Sequence, residues 1–208
     1  MSEIGWSVWI PIPVYKITLA GDNAVGKTSL CDRFMGKAFS ADYTMTLGTN
    51  IAYKTVRIEG EKVKFQVWDM GGQPHFESVR TVYYKGSLGV LLVFDITRFD
   101  TFERIPNWWT EFWKNTGRGQ VPAVLLGNKI DLRATYPNAT GFEQGELLAS
   151  ELSKTSQEIG FEIPYVETSA KSGANVDRAF LLLAKNIKAY TQMHLVPKKQ
   201  LNTRRENA

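Results

Sequence analysis

The sequence predicts an α/β protein of three layers: about five helices on the two faces of a six-stranded, mostly parallel sheet with one antiparallel edge strand. Two patterns predict it. From Leu88 onward, short apolar runs alternate with stretches of helical period, as crossovers between parallel strands require. Before that, one pair of segments of alternating character flanks a tight turn, the single hairpin signal found in the chain. The chain has 208 residues, 43% of them hydrophobic, enough for one good core, and its length favours one domain.

Each element has its own signal. Residues 1–13 form an N-terminal extension with Trp6, Trp9, Ile10 and Ile12 among its residues. Pro11 and Pro13 oppose a long amphipathic helix there, so packing against the domain is expected ahead of a membrane or partner contact. The domain proper is expected over 14–191. Val14 to Ala20 reads as a buried strand ending at Gly21, and Thr28 to Phe34 as a helix. IAYKTVRI and KVKFQVWD alternate around Glu59-Gly60 and predict the hairpin.

The second half repeats strand and helix: LGVLLVFD over 88–95, a helix from about Phe102 to Asn115, VPAVLLGN, a helix from Glu143 to Glu158, IPYVET, and a last helix. In that last helix Val176, Phe180, Leu183, Ala184 and Ile187 share one face, which should cover the sheet. Residues 192–208 turn polar and basic and read as a flexible tail. Trp108, Trp109, Phe112 and Trp113 cannot all point inward from one helix, so a partly exposed tryptophan is expected.

Composition excludes several classes. Cys31 is the single cysteine, so no disulfide or cysteine-based metal site forms within one chain, and a reducing, cytoplasmic setting is expected. No apolar run approaches the ~18 residues of a membrane span. A net charge of +4 is too small to suggest a nucleic-acid partner. His75 and His194 lack ligand-like neighbours and read as surface histidines.

The chemistry begins where the first strand ends. Gly21-Asp-Asn-Ala-Val-Gly26-Lys27-Thr28 fits GxxxxGK[ST] between a strand and a helix. Backbone N–H groups of Asn23, Ala24, Val25 and Gly26, with the helix start, can surround phosphates. Lys27 can reach the β- and γ-phosphates, and the Thr28 hydroxyl can ligate Mg²⁺. ATPases, nucleoside kinases and GTPases share this turn, and four later segments choose among them.

Asn128-Lys129-Ile130-Asp131 ends a parallel strand, where such sheets bind ligands. The Asp131 carboxylate can accept from guanine N1–H and the 2-amino group, which adenine lacks; an adenine ring would bury it unpaired, costing about 1 to 3 kcal/mol or more. Lys129 can lay its stem on the base, and Asn128 can tie this loop to the phosphate loop. In Glu167-Thr168-Ser169-Ala170-Lys171 the small Ala170 lets its N–H approach guanine O6. In Trp68-Asp69-Met70-Gly71-Gly72-Gln73, Asp69 can hold Mg²⁺ through a water, the Gly72 N–H can meet a γ-phosphate, and Gln73 can orient the attacking water. Thr46, in a polar loop with Tyr43, can reach the metal when a γ-phosphate holds that loop.

Together these segments resemble the Ras superfamily of small GTPases, whose G domain the likeness covers from about Val14 to Tyr190. GDNAVGKTSL, YTMTLGTNI, SVRTVYYKGS and ETSAK are similar to the Rab branch, whereas WDMGGQP resembles the Arf-like branch, with Gly71 in place of the usual alanine. The resemblance implies a molecular switch that binds GTP and GDP with Mg²⁺ and hydrolyses GTP slowly. It implies nucleotide contacts from Ser29, Phe39, Tyr43, Ser169 and Lys171 beside those above. It makes the segments at about 39–50 and 69–85 the two switches read by effectors, with activating and exchange proteins as partners and a role in membrane traffic.

There are departures. Asn23 and Ala24 stand where many Ras-like proteins have glycine, and Asn23 can crowd an incoming arginine. Pro74 biases Gln73 toward extended backbone. The chain ends RRENA and begins Met1-Ser2, without the usual lipidation signals, so membrane contact is expected to be weak. Lys198, Lys199, Arg204 and Arg205 would each add about 1 kcal/mol at an anionic surface. Two competing readings follow: an ATP-using phosphotransferase, which should lack NKID and ETSAK, and a GTP-locked pseudo-GTPase acting as a scaffold.

Overall fold

A computed structural model describes residues 11–40, 45–46, 48–72, 77–156 and 160–195. Six strands form one sheet: β1 (Val14–Ala20), β2 (Thr49–Ile58), β3 (Glu61–Met70), β4 (Gly89–Asp95), β5 (Ala123–Asn128) and β6 (Tyr165–Glu167). Their spatial order is β2-β3-β1-β4-β5-β6. Only β2 runs antiparallel, paired with β3 from Thr49↔Met70 to Ile58↔Glu61. The hairpin turns where the sequence indicates it, because Glu59 and Gly60 both take positive φ, at 50° and 86°, matching the right-handed twist of the strands.

The helices are α1 (Lys27–Phe34), α2 (Glu77–Tyr84), α3 (Phe99–Glu103), α4 (Ile105–Asn115), α5 (Phe142–Thr155) and α6 (Val176–Leu195). The expected helix from Phe102 to Asn115 is two: α3 stops at Glu103, and α4 restarts with Pro106 in its first turn, where the missing N–H costs nothing. β6 is shorter than IPYVET, since Pro164 cannot donate to the ladder. α6 continues past Tyr190 to Leu195, so its last turn takes up residues expected in the tail. There the rings of Tyr190 and His194 stack at 4.4 Å, and His194 Nδ1 lies 3.0 Å from the Tyr190 carbonyl.

Burial on both faces follows from the alternation within β4. Leu91 and Val93 join the core under α1 and α6, while Val90, Leu92 and Phe94 join the core under α4 and α5. All five apolar residues of the α6 face are buried, and Phe180 stacks on Phe34 of α1 at 3.9 Å. The tryptophan expectation is met by Trp113, which is half-buried, whereas Trp108, Trp109 and Phe112 are all buried. The α4 face spans more than one surface, Trp108 reaching toward the loop after β1 and Trp109 stacking with Phe112. β1, β3, β5 and β6 all end on the same side of the sheet, and their loops build the site there.

Candidate functional site

A pocket of about 740 Å³ opens at the carboxyl ends of the strands. Its floor is the loop from Gly21 to Gly26. Ala24 and Gly26 take left-handed φ of 61° and 98°, which turns successive N–H groups inward. Gly26 tolerates no side chain, because a Cβ would meet Asn128 Nδ2 at 2.3 Å. α1 then starts at Lys27 and points its N-terminus at the pocket. Lys27 is buried, and its Nζ donates to the carbonyls of Gly21 and Asp22 at 2.8 and 2.7 Å. Burial pushes its pKa down to about 8, opposed by the nearby carboxylates of Asp69 and Asp22.

Beside the loop, three oxygen-bearing side chains converge. The hydroxyls of Thr28 and Thr46 lie 2.8 Å apart. Asp69, 1% exposed at the end of β3, has no hydrogen-bond partner on either carboxylate oxygen among the described residues. Desolvation raises its pKa, and the Thr28 hydroxyl and Lys27 ammonium act against that rise. Orphaned carboxylate oxygens next to two hydroxyls are the donor set of a hard cation such as Mg²⁺, so the residues present fit that ion. Among the described residues no group of three or more His, Cys, Asp or Glu could hold a metal ion.

The opposite end is organised by Asn128. Its Nδ2 donates to the Val25 carbonyl at 2.8 Å, and its Oδ1 accepts from the Thr168 hydroxyl and the Ala170 N–H, both at 3.3 Å. One side chain thus joins the loops after β1, β5 and β6. Lys129 takes a left-handed φ of 69°, and its Nζ pairs with buried Asp95 at 2.7 Å. Asp131 accepts from Ser169 Oγ at 2.6 Å, and that same Oγ accepts from the Ser172 N–H at 3.0 Å. Asp131 is exposed rather than buried, so any desolvation of its carboxylate would come from a ligand.

Most of the residues predicted from sequence line this pocket: Asn23, Ala24, Gly26, Lys27, Thr28 and Ser29 from the first loop, Phe39 and Thr46 from the next segment, Gly72 after β3, and Asn128, Lys129, Asp131, Ala170 and Lys171 from the far end. Val25, Asp69 and Ser169 do not line it, Asp69 being buried beside it at the end of β3. Val25 turns its side chain into the core, leaving its backbone to the loop, and Ser169 stands behind Asp131. Ala170 N–H, expected to face a base, here meets Asn128. Tyr43, Gln73, Pro74 and His75 lie outside the described residues, as do Trp6, Trp9, Ile10 and the four basic residues of the tail. The pocket also includes Met70 and Gly71 from the Trp68–Gln73 motif, to which the sequence assigns no contact, and Asp32, Ala38, Ser40 and Leu132, which lie outside the quoted motifs and carry no motif signal.

Two glycines show why this arrangement is close-fitting. A Cβ on Gly72 would come within 2.5 Å of the Asp22 carbonyl carbon and 2.6 Å of the Asn23 nitrogen. A Cβ on Gly71 would meet the Thr46 carbonyl at 2.8 Å, while the Gly71 N–H donates to the Gly48 carbonyl at 3.1 Å. The unusual Gly71 therefore has a structural reason, the approach of the Thr46 segment to β3.

Comparison with known proteins agrees with this geometry. The family model described as Ras family matches residues 16–189. The chain is 42% identical over 174 residues to "Ras-related protein Rab-13" of Rattus norvegicus, covering 84% of this chain and 80% of that protein. It is 38% identical over 176 residues to "Ras-related protein Rab-8A" of Gallus gallus, covering 85% and 79%. It is also 38% identical over 174 residues to "Ras-related protein Rab-8B" of Homo sapiens, covering 84% and 78%. With the matched span enclosing every strand after the first two residues of β1, the chain belongs to the Ras family and is a Rab-like small GTPase.

Proposed function

We propose that this protein is a guanine-nucleotide switch, binding GTP and GDP with Mg²⁺ and hydrolysing GTP at a low intrinsic rate. The observation that carries the reading is the single pocket in which Asn128 joins the Gly21–Thr28 loop to the loop bearing Asp131 and the loop bearing Ala170. Backbone N–H groups of the first loop and Lys27 bind the phosphates. Asp131, oriented by Ser169, accepts from the guanine edge, and Phe39 flanks the ring. Thr28, Thr46 and Asp69 would hold Mg²⁺, which would supply neutralisation of the phosphate charge. Gln73 orients the attacking water, and the Gly72 N–H meets the γ-phosphate.

Phe39 to Asn50 and Asp69 to Lys85 act as the two switches, ordered by the γ-phosphate and read by effector, activating and exchange proteins. The Rab-named relatives support a place in membrane traffic. Among the described residues no helix is long and apolar enough to cross a membrane, so contact with one is peripheral in this reading. The test is to identify the nucleotide carried through purification and then follow single-turnover hydrolysis of GTP and ATP with Mg²⁺. Bound guanine nucleotide and slow GTP turnover are expected. Preference for ATP would overturn the reading, and GTP that is bound but never cleaved would replace it with the GTP-locked scaffold that Asn23 and Pro74 suggest.

A further inference from the structure

Behind the phosphate loop lies a second cluster that the nucleotide motifs do not account for. Asp22 is buried, and its Oδ1 accepts a hydrogen bond from the indole Nε1 of Trp108 on α4 at 2.7 Å. Arg104 Nη1 stands 3.0 Å from the other oxygen, a charge contact rather than an aligned hydrogen bond. Arg98 Nη1 donates to the carbonyl of the next residue, Asn23, at 3.0 Å. The guanidinium of Arg80 from α2 lies over the Trp108 ring, 4.5 Å from its centroid. Arg80 in turn makes two bonds of 3.0 Å to Glu111 of α4.

The loop segment so held is the one against which Gly72 rests, with room for no Cβ between them. An open cavity of about 270 Å³, bounded by Asp22, Gly72, Arg104 and Trp108, adjoins this segment, so packing covers only part of it and polar contacts contribute to its position. A charge-assisted N–H···carboxylate bond is short and directional, and its loss leaves a buried oxygen without a partner.

We propose that Trp108 is a positioning residue for γ-phosphate recognition: its indole N–H, by holding Asp22, sets the backbone on which Gly72 lies. The inference rests on the reading of the pocket as a GTP site in which the Gly72 N–H meets the γ-phosphate. GDP has no γ-phosphate and does not use Gly72, so the effect falls more heavily on the triphosphate than on the diphosphate. Arg80 over the ring ties the same indole to α2, which makes the Trp108 side chain a shared support of the phosphate loop and the second switch.

The test measures the affinities of wild type, Trp108→Phe, Asp22→Ala and Asp22→Asn for GDP and for a slowly hydrolysed GTP analogue, with thermal unfolding of each variant. Trp108→Phe and Asp22→Ala should each weaken the analogue about five- to tenfold more than they weaken GDP. The two changes combined should cost little more than either alone, as expected for partners in one bond. Asp22→Asn, which keeps an acceptor for the indole, should retain the wild-type ratio of the two affinities. Equal losses for both nucleotides, an unchanged ratio in Trp108→Phe, or additive effects in the double variant would overturn the proposal. Failure of the wild-type protein to bind either nucleotide would instead remove the GTP reading on which it stands.

Discussion

Asp131 sits on an exposed turn with one oxygen already receiving the Ser169 hydroxyl at 2.6 Å, so its orientation is set before a ligand arrives. An aligned acceptor loses less entropy on binding than a free one. Asp131→Ala should therefore weaken GTP and GDP by about 10- to 100-fold, the equivalent of roughly 1.4 to 2.7 kcal/mol, and leave weak ATP binding unchanged. Competition titration with the three nucleotides checks this, and equal loss for ATP would show that Asp131 carries no base selectivity. Asn23 lines the pocket one residue beyond Asp22, and its carbonyl is braced by Arg98. If its side chain slows turnover by crowding the γ-phosphate side, Asn23→Gly should raise the single-turnover hydrolysis rate by about threefold or more, corresponding to roughly 0.7 kcal/mol in the barrier. An unchanged rate would place the slow step elsewhere.

At the level of elements, the site depends on how segments meet rather than on any one of them. The Thr46 segment lies on the end of β3, and the Gly71 N–H is bonded to the Gly48 carbonyl at 3.1 Å. Gly71→Ala would drive a methyl group into the Thr46 carbonyl, 2.8 Å away, and the Thr46 hydroxyl would have to leave Thr28 or the strand end would have to shift. Mg²⁺-dependent GTP binding should fall about fivefold, while binding in EDTA stays the same; nucleotide release followed by fluorescence with and without the metal checks this. An identical loss in EDTA would mean that the methyl group disturbs the phosphate loop instead. The buried pairing of Arg80 with Glu111, joined by the Tyr84 hydroxyl at 2.8 Å, attaches α2 to α4 in the same manner. Burial and the adjacent carboxylate raise the pKa of the Tyr84 hydroxyl, which keeps it a donor throughout the neutral range.

For the whole molecule, the sheet is stabilised by cores on both faces, and the larger aromatics are its anchors. Phe180, fully buried against Phe34, should cost about 3 to 5 kcal/mol when replaced by alanine, lowering Tm by roughly 6 to 20 °C in calorimetry. A shift below a few degrees would show that α6 is not required for the core. The sequence by itself determined the strand and helix order, the hairpin at Glu59-Gly60, the inward face of α6 and the nucleotide motifs, because each is written in short-range periodicity or in fixed spacing along the chain. It also singled out Gly71, but as an oddity without a cause. Only the tertiary structure decided that Gly71 is where the Thr46 carbonyl comes close, that Val25 and Ser169 stand behind the pocket wall, and that Trp108 turns away from Trp109 to hold Asp22. Asp22 and Trp108 are 86 residues apart, and no local pattern reports a hydrogen bond between two residues that meet only when β1 and α4 pack on the same sheet.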